Sequence, residues 1–444
     1  MGFIKVESEK NSEKLFGSKK MESLKSVFRA LSHRNYRLFF GGQGISLIGT
    51  WMQQIAMSWL VYRLTGSAVL LGIVGFTSRV PTFLVSPFAG VLLDRVNRHR
   101  ILVMTQTLSM AQAMILAGLV LTGSVAVWHV IALSLVLGLI NSVDVPARQS
   151  FVVEMIERRE DLGNAIALNS TIVNGARLVG PSIAGILIAA LGEGLCFLLN
   201  GLSFIAVILA LLAMKLTPRE KGNRPSRVLR ELKEGFSYAF GSPPIRSVLF
   251  LLALVSLMGV PYTVLMPIFA EKILQRGPEA LGFLLGANGV GALAGSIYLA
   301  SRKNVLGLGR VIVISAGLFG IGLIGFSFSR LLWLSLCFML LTGSGMMVQM
   351  AASNTVLQTL VEEDKRGRVM SLYTMSFMGM VPFGSLLAGN LAHGIGAPKT
   401  VMLGGIACLL GSVWFARKLP ALRKVMGPIY VERGILRRPP AGLE

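Results

Sequence analysis

The sequence predicts an all-α membrane protein of twelve transmembrane helices, arranged as two six-helix bundles that repeat one another in parallel. Three observations lead there: twelve long apolar segments, one charged stretch that divides them six and six, and a set of glycines in the first half whose spacing recurs in the second. A helix crosses a bilayer with about 20 mostly apolar residues. The segments, numbered spans 1 to 12, fall at about 37–62, 68–93, 101–123, 126–148, 163–190, 194–214, 246–271, 280–301, 311–328, 331–360, 368–393 and 398–416. Of 444 residues, 53% are hydrophobic and only 14% charged, with a mean hydropathy of +0.67, the composition of a polytopic membrane protein. The 50 glycines fit, because small residues let helix backbones approach in lipid, where packing holds bundles together.

The net charge of +22 calls for an anionic partner, and its distribution says which. The termini and one alternate set of loops hold 34 Lys and Arg, while the opposite loops hold 5: Arg63, Lys272, Arg276, Arg330 and Lys399. This is the positive-inside pattern, which places both termini in the cytoplasm. The basic loops then face anionic lipid headgroups rather than nucleic acid, as expected of a multi-pass protein of the cell membrane. Residues 1–33 are polar and charged, so the first span is expected to serve as an uncleaved insertion signal. Cys196, Cys337 and Cys408 sit singly in apolar runs and the four histidines lie far apart, so neither a disulfide framework nor a metal centre is expected.

The organisation reads as a cytoplasmic N-terminal segment (1–36), a first bundle (37–214), a cytoplasmic linker (215–245), a second bundle (246–416) and a cytoplasmic tail (417–444). From about Ser226 the linker looks helical, with Val228, Leu229, Leu232, Phe236 and Phe240 near one face and charges on the other. That is an amphipathic helix suited to the membrane surface. A shift of 204 residues carries Gly163, Gly175, Gly180, Gly185 and Gly192 onto Gly367, Gly379, Gly384, Gly389 and Gly396. A shift of 210 sets ISLIG at 45–49 on VSLMG at 255–259. Six is an even number of crossings, so both halves enter the membrane in the same direction, related by an axis along its normal.

The loop after span 2 reads GVLLDRVNRHR, residues 90–100. Its Gly90, Asp94, Arg95, Arg98 and Arg100 resemble the most general signature of the major facilitator superfamily. The resemblance implies a latch, in which Asp94 faces the positive N-terminal end of span 11 and nearby arginines and holds one state of an alternating-access cycle. Asn97 stands where glycine is usual and His99 where Lys or Arg is usual; asparagine tolerates a left-handed backbone, so the turn is expected to survive. In span 5, NGARLVGPSIAG at 174–185 resembles the antiporter motif of drug exporters in that superfamily, carried by Gly180, Pro181, Ala184 and Gly185. Pro181 removes a backbone hydrogen bond and bends the helix, and its small neighbours admit another helix. Residues 141–200, with GTWMQQIAMSWLVYRLTGSAVLLG at 49–72, look like the transmembrane secretion effector branch, which includes the enterobactin exporter and resembles macrolide efflux pumps. That resemblance implies a monomeric exporter without cofactor, driven by the proton gradient.

An ionisable side chain at membrane depth is costly and marks function. Among the acidic residues only Asp144 falls inside a span rather than at its boundary, and Arg148 lies four residues on, so the two share a helix face as a gate pair; a proton-carrying Asp144 or an interfacial position are the other readings. Arg79 lies midway along span 2 and Arg177 midway along span 5, where Ser170, Asn174 and Arg177 form a polar stripe. With Gln53 and Gln54 of span 1, Asn141 of span 4 and Gln349 of span 10, these are expected to line a central cavity. The other reading of each amide is a hydrogen bond that joins helices. Two deep arginines with no equally deep acid would make the cavity electropositive and suited to anionic or strongly polar solutes. Proton-coupled members of the superfamily often carry an arginine midway along span 4; here 131–142 holds no charge, so proton coupling rests on the resemblance alone.

No Gly-Lys dipeptide occurs, which excludes a P-loop and with it ATP hydrolysis on this chain. His129 and His393 have no evident carboxylate or thiol partner, so no catalytic residue is expected. The reading is a secondary-active exporter of small organic molecules, drug or siderophore in type. Import of a small anionic solute on the same fold is the alternative, and a lipid-modifying membrane enzyme is the alternative of another class.

Overall fold

The computed structural model describes residues 28–85, 96–215, 228–302, 304–433 and 435–436. Among these, the long elements are all helices and no strand occurs. In the first half they are Arg34–Thr65, Ala68–Val85, Arg98–Leu121, Val127–Phe151, Leu162–Leu191 and Glu193–Leu212. In the second half they are Pro243–Ile273, Pro278–Ala300, Leu308–Phe328, Leu332–Leu360, Arg366–Ile395 and Ala397–Glu432. They match spans 1 to 12 in order, and eleven are long and apolar enough to cross a membrane. The other, span 1, has 32 residues, about 48 Å at the helical rise; Gln43, Gln53 and Gln54 lower its hydropathy. The all-α membrane class expected from sequence is the class observed. Span 12 differs in extent, running past Ala416 to Glu432. Leu419, Leu422, Met426 and Tyr430 are buried along this extension, and Arg417, Lys418, Arg423 and Lys424 between them mask that apolar stripe in a hydropathy reading.

The packing repeats with the sequence. In the first half span 6 packs on spans 1 and 3, span 5 on span 1, and span 4 on span 3; in the second, span 12 packs on spans 7 and 9, span 11 on span 7, and span 10 on span 9. The repeated glycines occupy matching places. Gly192 and Gly396 end spans 5 and 11 with φ of 81° and 87°, a backbone glycine takes freely and other residues do not. Each lets the chain turn directly into the next span. Gly180 lies against Trp51 and Ile48 of span 1, as Gly384 lies against Leu257 and Pro261 of span 7.

The halves meet chiefly at two crossings, span 5 with span 8 and span 2 with span 11, with lesser contacts of span 7 on spans 1 and 2. A Cβ on Gly185 would lie 2.9 Å from the Gly282 Cα, and one on Gly389 3.0 Å from the Gly72 Cα, so only glycine permits these approaches. Phe383 of span 11 packs edge-on to Phe76 and Phe83 of span 2, with centroids 5.9 and 5.7 Å apart. Both crossings occupy the side of the molecule away from the chain termini, here the far side. On span 5 the contact stripe runs Gly185, Ser182, Leu178; its continuation, Thr171 and Ala167, is exposed. On span 8 it runs Gly282, Gly286, Gly289, and its continuation, Leu293 and Ile297, is also exposed. The halves therefore close on the far side and part towards the termini.

Two segments brace the terminal side. The turn Arg29–Ser32 and the start of span 1 clamp onto the loop between spans 4 and 5. The His33 ring bonds the Asp161 carboxylate at 2.9 Å, Arg29 pairs with the same carboxylate, and the Tyr36 hydroxyl donates to the Ala165 carbonyl at 2.7 Å. The His33 bond is the largest influence holding the Asp161 carboxyl below its ordinary range; burial opposes it and Arg29 reinforces it. The linker helix, Val228–Gly241, docks on the start of span 11 through Glu234 and Arg368, 3.0 Å apart, and through Lys365 over the Tyr238 ring at 4.8 Å. Phe236 and Phe240 stay exposed and stack on each other at 5.8 Å. Residues 216–227, and the side chains of Val228, Leu229 and Leu232, lie outside the described residues.

Two outcomes follow from this packing. Gly185→Leu forces span 8 away, so the distance between spin labels at Ser124 and Arg330, both on far-side loops, should lengthen; an unchanged distance distribution would count against the seam described. A carboxyl with a lowered pKa lends stability that is complete above its unfolded value of about 4 and is lost as pH falls through the folded value. A spin label at Ser32 should accordingly stay immobile at neutral pH and become mobile only below about pH 4.

Candidate functional site

The buried charge sits within one half. The Asp144 carboxylate accepts from Thr105 Oγ1 at 2.7 Å and Gln106 Nε2 at 2.8 Å, both on span 3, and pairs with Arg148 Nη2 at 3.2 Å. With Asp144 3% exposed, these donors replace the hydration it lost. Thr105 and Gln106 belong to this site and were missed from sequence, because nothing within span 3 indicates a carboxylate on span 4. On the loop signature, Gly90, Asp94 and Arg95 lie outside the described residues. Arg98 pairs with Glu154 at 2.9 Å, beyond the end of span 4. Asn97 departs from expectation: its φ is −74° and its side chain accepts from the Arg100 N–H at 3.2 Å. It serves as the N-cap of span 3 rather than as a left-handed turn residue. His99 donates to the Leu211 carbonyl at 2.8 Å.

Two residues expected in the cavity are placed elsewhere. Gln53 donates to Gln112 at 2.9 Å and accepts from Asn200 at 2.7 Å, and Gln112 in turn donates to the Leu133 carbonyl at 3.3 Å. This chain of amides ties spans 6, 1, 3 and 4 inside the first half. Gln349 is 1% exposed and shares a helical stripe with Thr342 and Gly345, which abut span 9; it points into the second half. Both its amide atoms lack a partner among the described residues, as does the hydroxyl of Ser353 one turn on. Gln54 is exposed and Asn141 half-buried.

Span 5 carries the polar face of the gap. Gly180 turns one face to span 1, and Leu178, Ser182 and Gly185 turn another to span 8. Exposed Val179, Ile183 and Ile186 form an outer apolar face. Ser170, Asn174 and Arg177 lie on the remaining face, between spans 1 and 8. Ser170 and Asn174 bond their own helix, through the Ile166 and Ser170 carbonyls, at 3.0 and 2.9 Å. Arg177 is half-buried over the Trp51 ring, 5.9 Å from its centroid. Pro181, Ala184 and Gly185 are buried where the helices cross, and the Pro181 carbonyl is among the atoms nearest Gly282.

Arg79 sits where span 2 is interrupted. The helix breaks at Ser78–Arg79, just before Pro81, which has no N–H to continue it. Gly138 of span 4 receives the break: a Cβ there would lie 2.8 Å from the Ser78 carbonyl. Before the break Gly72 and Gly75 face the other half, and Arg79, counted along the chain from the far side, lies at about the same depth as Arg177. Among the described residues neither guanidinium has an ion pair or a side-chain hydrogen bond. Sequence reading also missed the irregular course of span 7, where π-helical Val255–Gly259 leads to a turn at Val260–Pro261; Gly259 and Pro261 were the available signal.

Asp144→Ala should destabilise the protein by about 3 kcal/mol, because it strands Arg148 and two donors, the value lying at the low end for a buried pair since Arg148 retains some solvent contact. Adding Arg148→Ala should recover part of the loss in a thermal unfolding series; equal stability of Asp144→Ala and the parent would refute the network.

A sequence profile described as transmembrane secretion effector matches residues 25–426. Over 380 residues the chain is 28% identical to the staphyloferrin A transporter of Staphylococcus aureus, a match covering 84% of this chain and 93% of that one. Over 397 residues it is 26% identical to the multidrug efflux pump Tap of Mycolicibacterium fortuitum, covering 86% and 93%. Among solved structures, a bacterial homologue of the iron transporter ferroportin in an inward-facing state shares the fold with a TM-score of 0.64 at 20% identity, over 86% of this chain and 98% of that one. The chain belongs to the transmembrane secretion effector family of the major facilitator superfamily, and is a multi-pass membrane transporter rather than an enzyme.

Proposed function

We propose that the protein is a secondary-active exporter of small organic molecules, siderophore or drug in type, working as a monomer in the cell membrane with both termini in the cytoplasm. One observation carries the reading: the gap between the halves is sealed by backbone on the far side and opens towards the termini, with Arg177 and its polar stripe facing it. With the basic loops cytoplasmic, that is the state in which an exporter loads. The relative named as a multidrug efflux pump supports the direction, and the one named as the staphyloferrin A transporter supports a small-molecule solute.

Alternating access needs two stiff bodies and a seam that opens. The Gln53 and Asp144 networks stiffen the first half. The seam is made of glycine backbone and Phe383, contacts that can part without leaving a buried charge unpaired. The Asp94 signature would latch the terminal side in the opposite state, with Arg98 braced by Glu154. The driving force in this reading is the proton gradient.

Accumulation of a panel of siderophores, macrolides and dyes should be lower in cells that contain the protein than in cells without it, and the difference should vanish when a protonophore collapses the gradient. Higher accumulation would make the protein an importer. Efflux that persists in uncoupled cells would remove the proton as the coupling ion.

A further inference from the structure

The extension of span 12 helps to enclose a cavity on the terminal side of the second half. By Leu419 the helix has risen about 33 Å from Ala397, slightly more than the hydrocarbon core is thick. Lys418 lies over the Trp414 ring at 4.6 Å, and an aromatic ring beside a cation is typical of the membrane boundary. The start of span 9 meets the extension here: a Cβ on Gly309 would lie 2.6 Å from Leu419 Cδ1. Around that contact residues 306–309, the extension from Leu419 to Tyr430, and Leu436 line a cavity of about 200 Å³.

Its lining specifies an anionic amphiphile. Leu308, Leu419 and Met426 are buried apolar walls. Arg423 and Tyr430 stand two helical turns apart on one face. Helical side chains lean towards the N-terminus, which turns the Tyr430 phenol back towards Arg423. Tyr430 is 8% exposed, and neither its hydroxyl nor the Arg423 guanidinium has a hydrogen-bond or ionic partner among the described residues. From span 9, the Gly309 N–H bonds no carbonyl among the described residues; free first-turn amides of this kind make a helix N-terminus positive. Arg302 stands behind that wall, where its Nη2 donates to the Leu306 carbonyl at 3.1 Å and its Nε is buried without a partner. None of the residues lining the cavity is acidic.

We propose that this cavity holds an anionic phospholipid of the cytoplasmic leaflet. Arg423 and the first turn of span 9 take the phosphate, the Tyr430 hydroxyl donates to the headgroup, and the glyceride part lies against Leu419 and Met426. Basic pockets between spans on this side of a membrane suit anionic headgroups. A free phosphate would gain nothing from the apolar walls, which is the reason to assign a lipid. The bound lipid would fasten the extension to span 9 and so brace the terminal side of the second half. The choice of leaflet rests on the orientation proposed above; the chemistry of the site does not, and no residue facing the gap takes part in it.

Phosphatidylglycerol and phosphatidylcholine with the same acyl chains are the probes, titrated into the purified full-length protein and counted as bound lipids by native mass spectrometry. Detergent solution has no leaflets, so the measurement reads the site whatever the orientation in the cell. One phosphatidylglycerol should be held about tenfold more tightly than phosphatidylcholine, a difference of one charged contact. Arg423→Gln should abolish that preference, whereas Lys424→Gln, an equal loss of charge at an exposed neighbour outside the lining, should leave it. Tyr430→Phe should weaken the tight lipid about threefold. Gly427→Leu guards against a fold artefact. A Cβ there meets nothing within 4 Å, and leucine is a better helix former than glycine, so the variant fills the cavity without straining the helix. It should lose the tight lipid while unfolding at or above the parent's temperature. Equal binding of the two lipids, a tight lipid indifferent to Gly427→Leu, or equal effects of Arg423→Gln and Lys424→Gln would overturn the site. Glycerol 3-phosphate that displaces the lipid at comparable concentration would make it a site for soluble phosphate and overturn the lipid.

Discussion

Helix backbones pressed together at glycine are the constraint on which the rest of this structure depends. Lipid offers no hydrophobic reward for bringing helices together, so close packing has to do it. At Gly185 with Gly282, and at Gly72 with Gly389, the halves approach until no Cβ fits between them. These two crossings are symmetric partners. They seal one side of the molecule and, by stopping near mid-helix, leave the other side open.

The polar groups divide accordingly. Inside the first half two networks join the helices: Gln53 with Gln112 and Asn200, and Asp144 with Thr105, Gln106 and Arg148. Such networks make a half move as one body, because breaking them would strand polar atoms away from water. At the seam the pattern reverses. Arg177 rests on the Trp51 ring, and neither it nor Arg79 has an ion pair or a side-chain hydrogen bond among the described residues. A charge kept at depth without a partner is costly to the fold, and its retention there is the mark of a site used by something other than the protein. The terminal side is built differently again, with ion pairs at Asp161, Glu154 and Arg368 fastening the loops and the linker helix to their own halves.

Much of this was legible in the residues. The five glycines related by a shift of 204 were read as a repeat; Gly192 and Gly396 prove to be the same positive-φ turn, and Gly185 and Gly389 the two crossings. The Asp144–Arg148 pair followed from an i, i+4 spacing on one helix, which sequence measures directly. The amides did not yield in the same way. Gln53 and Gln54 are neighbours, yet one is locked inside a half and the other is exposed. Consecutive helical residues point about 100° apart, and in a span surrounded by other spans no hydropathy contrast says which direction is the gap.

The number of spans, the duplication and the predominance of basic residues on one side could be read from the residues alone, because hydropathy, repeat spacing and loop charge are properties of the chain read along its length. Which polar face meets the gap, and which side is closed, came only with the folded arrangement. Those depend on how helices far apart in sequence are rotated and pressed together, and glycine contacts between distant spans, which no single segment records, set that rotation.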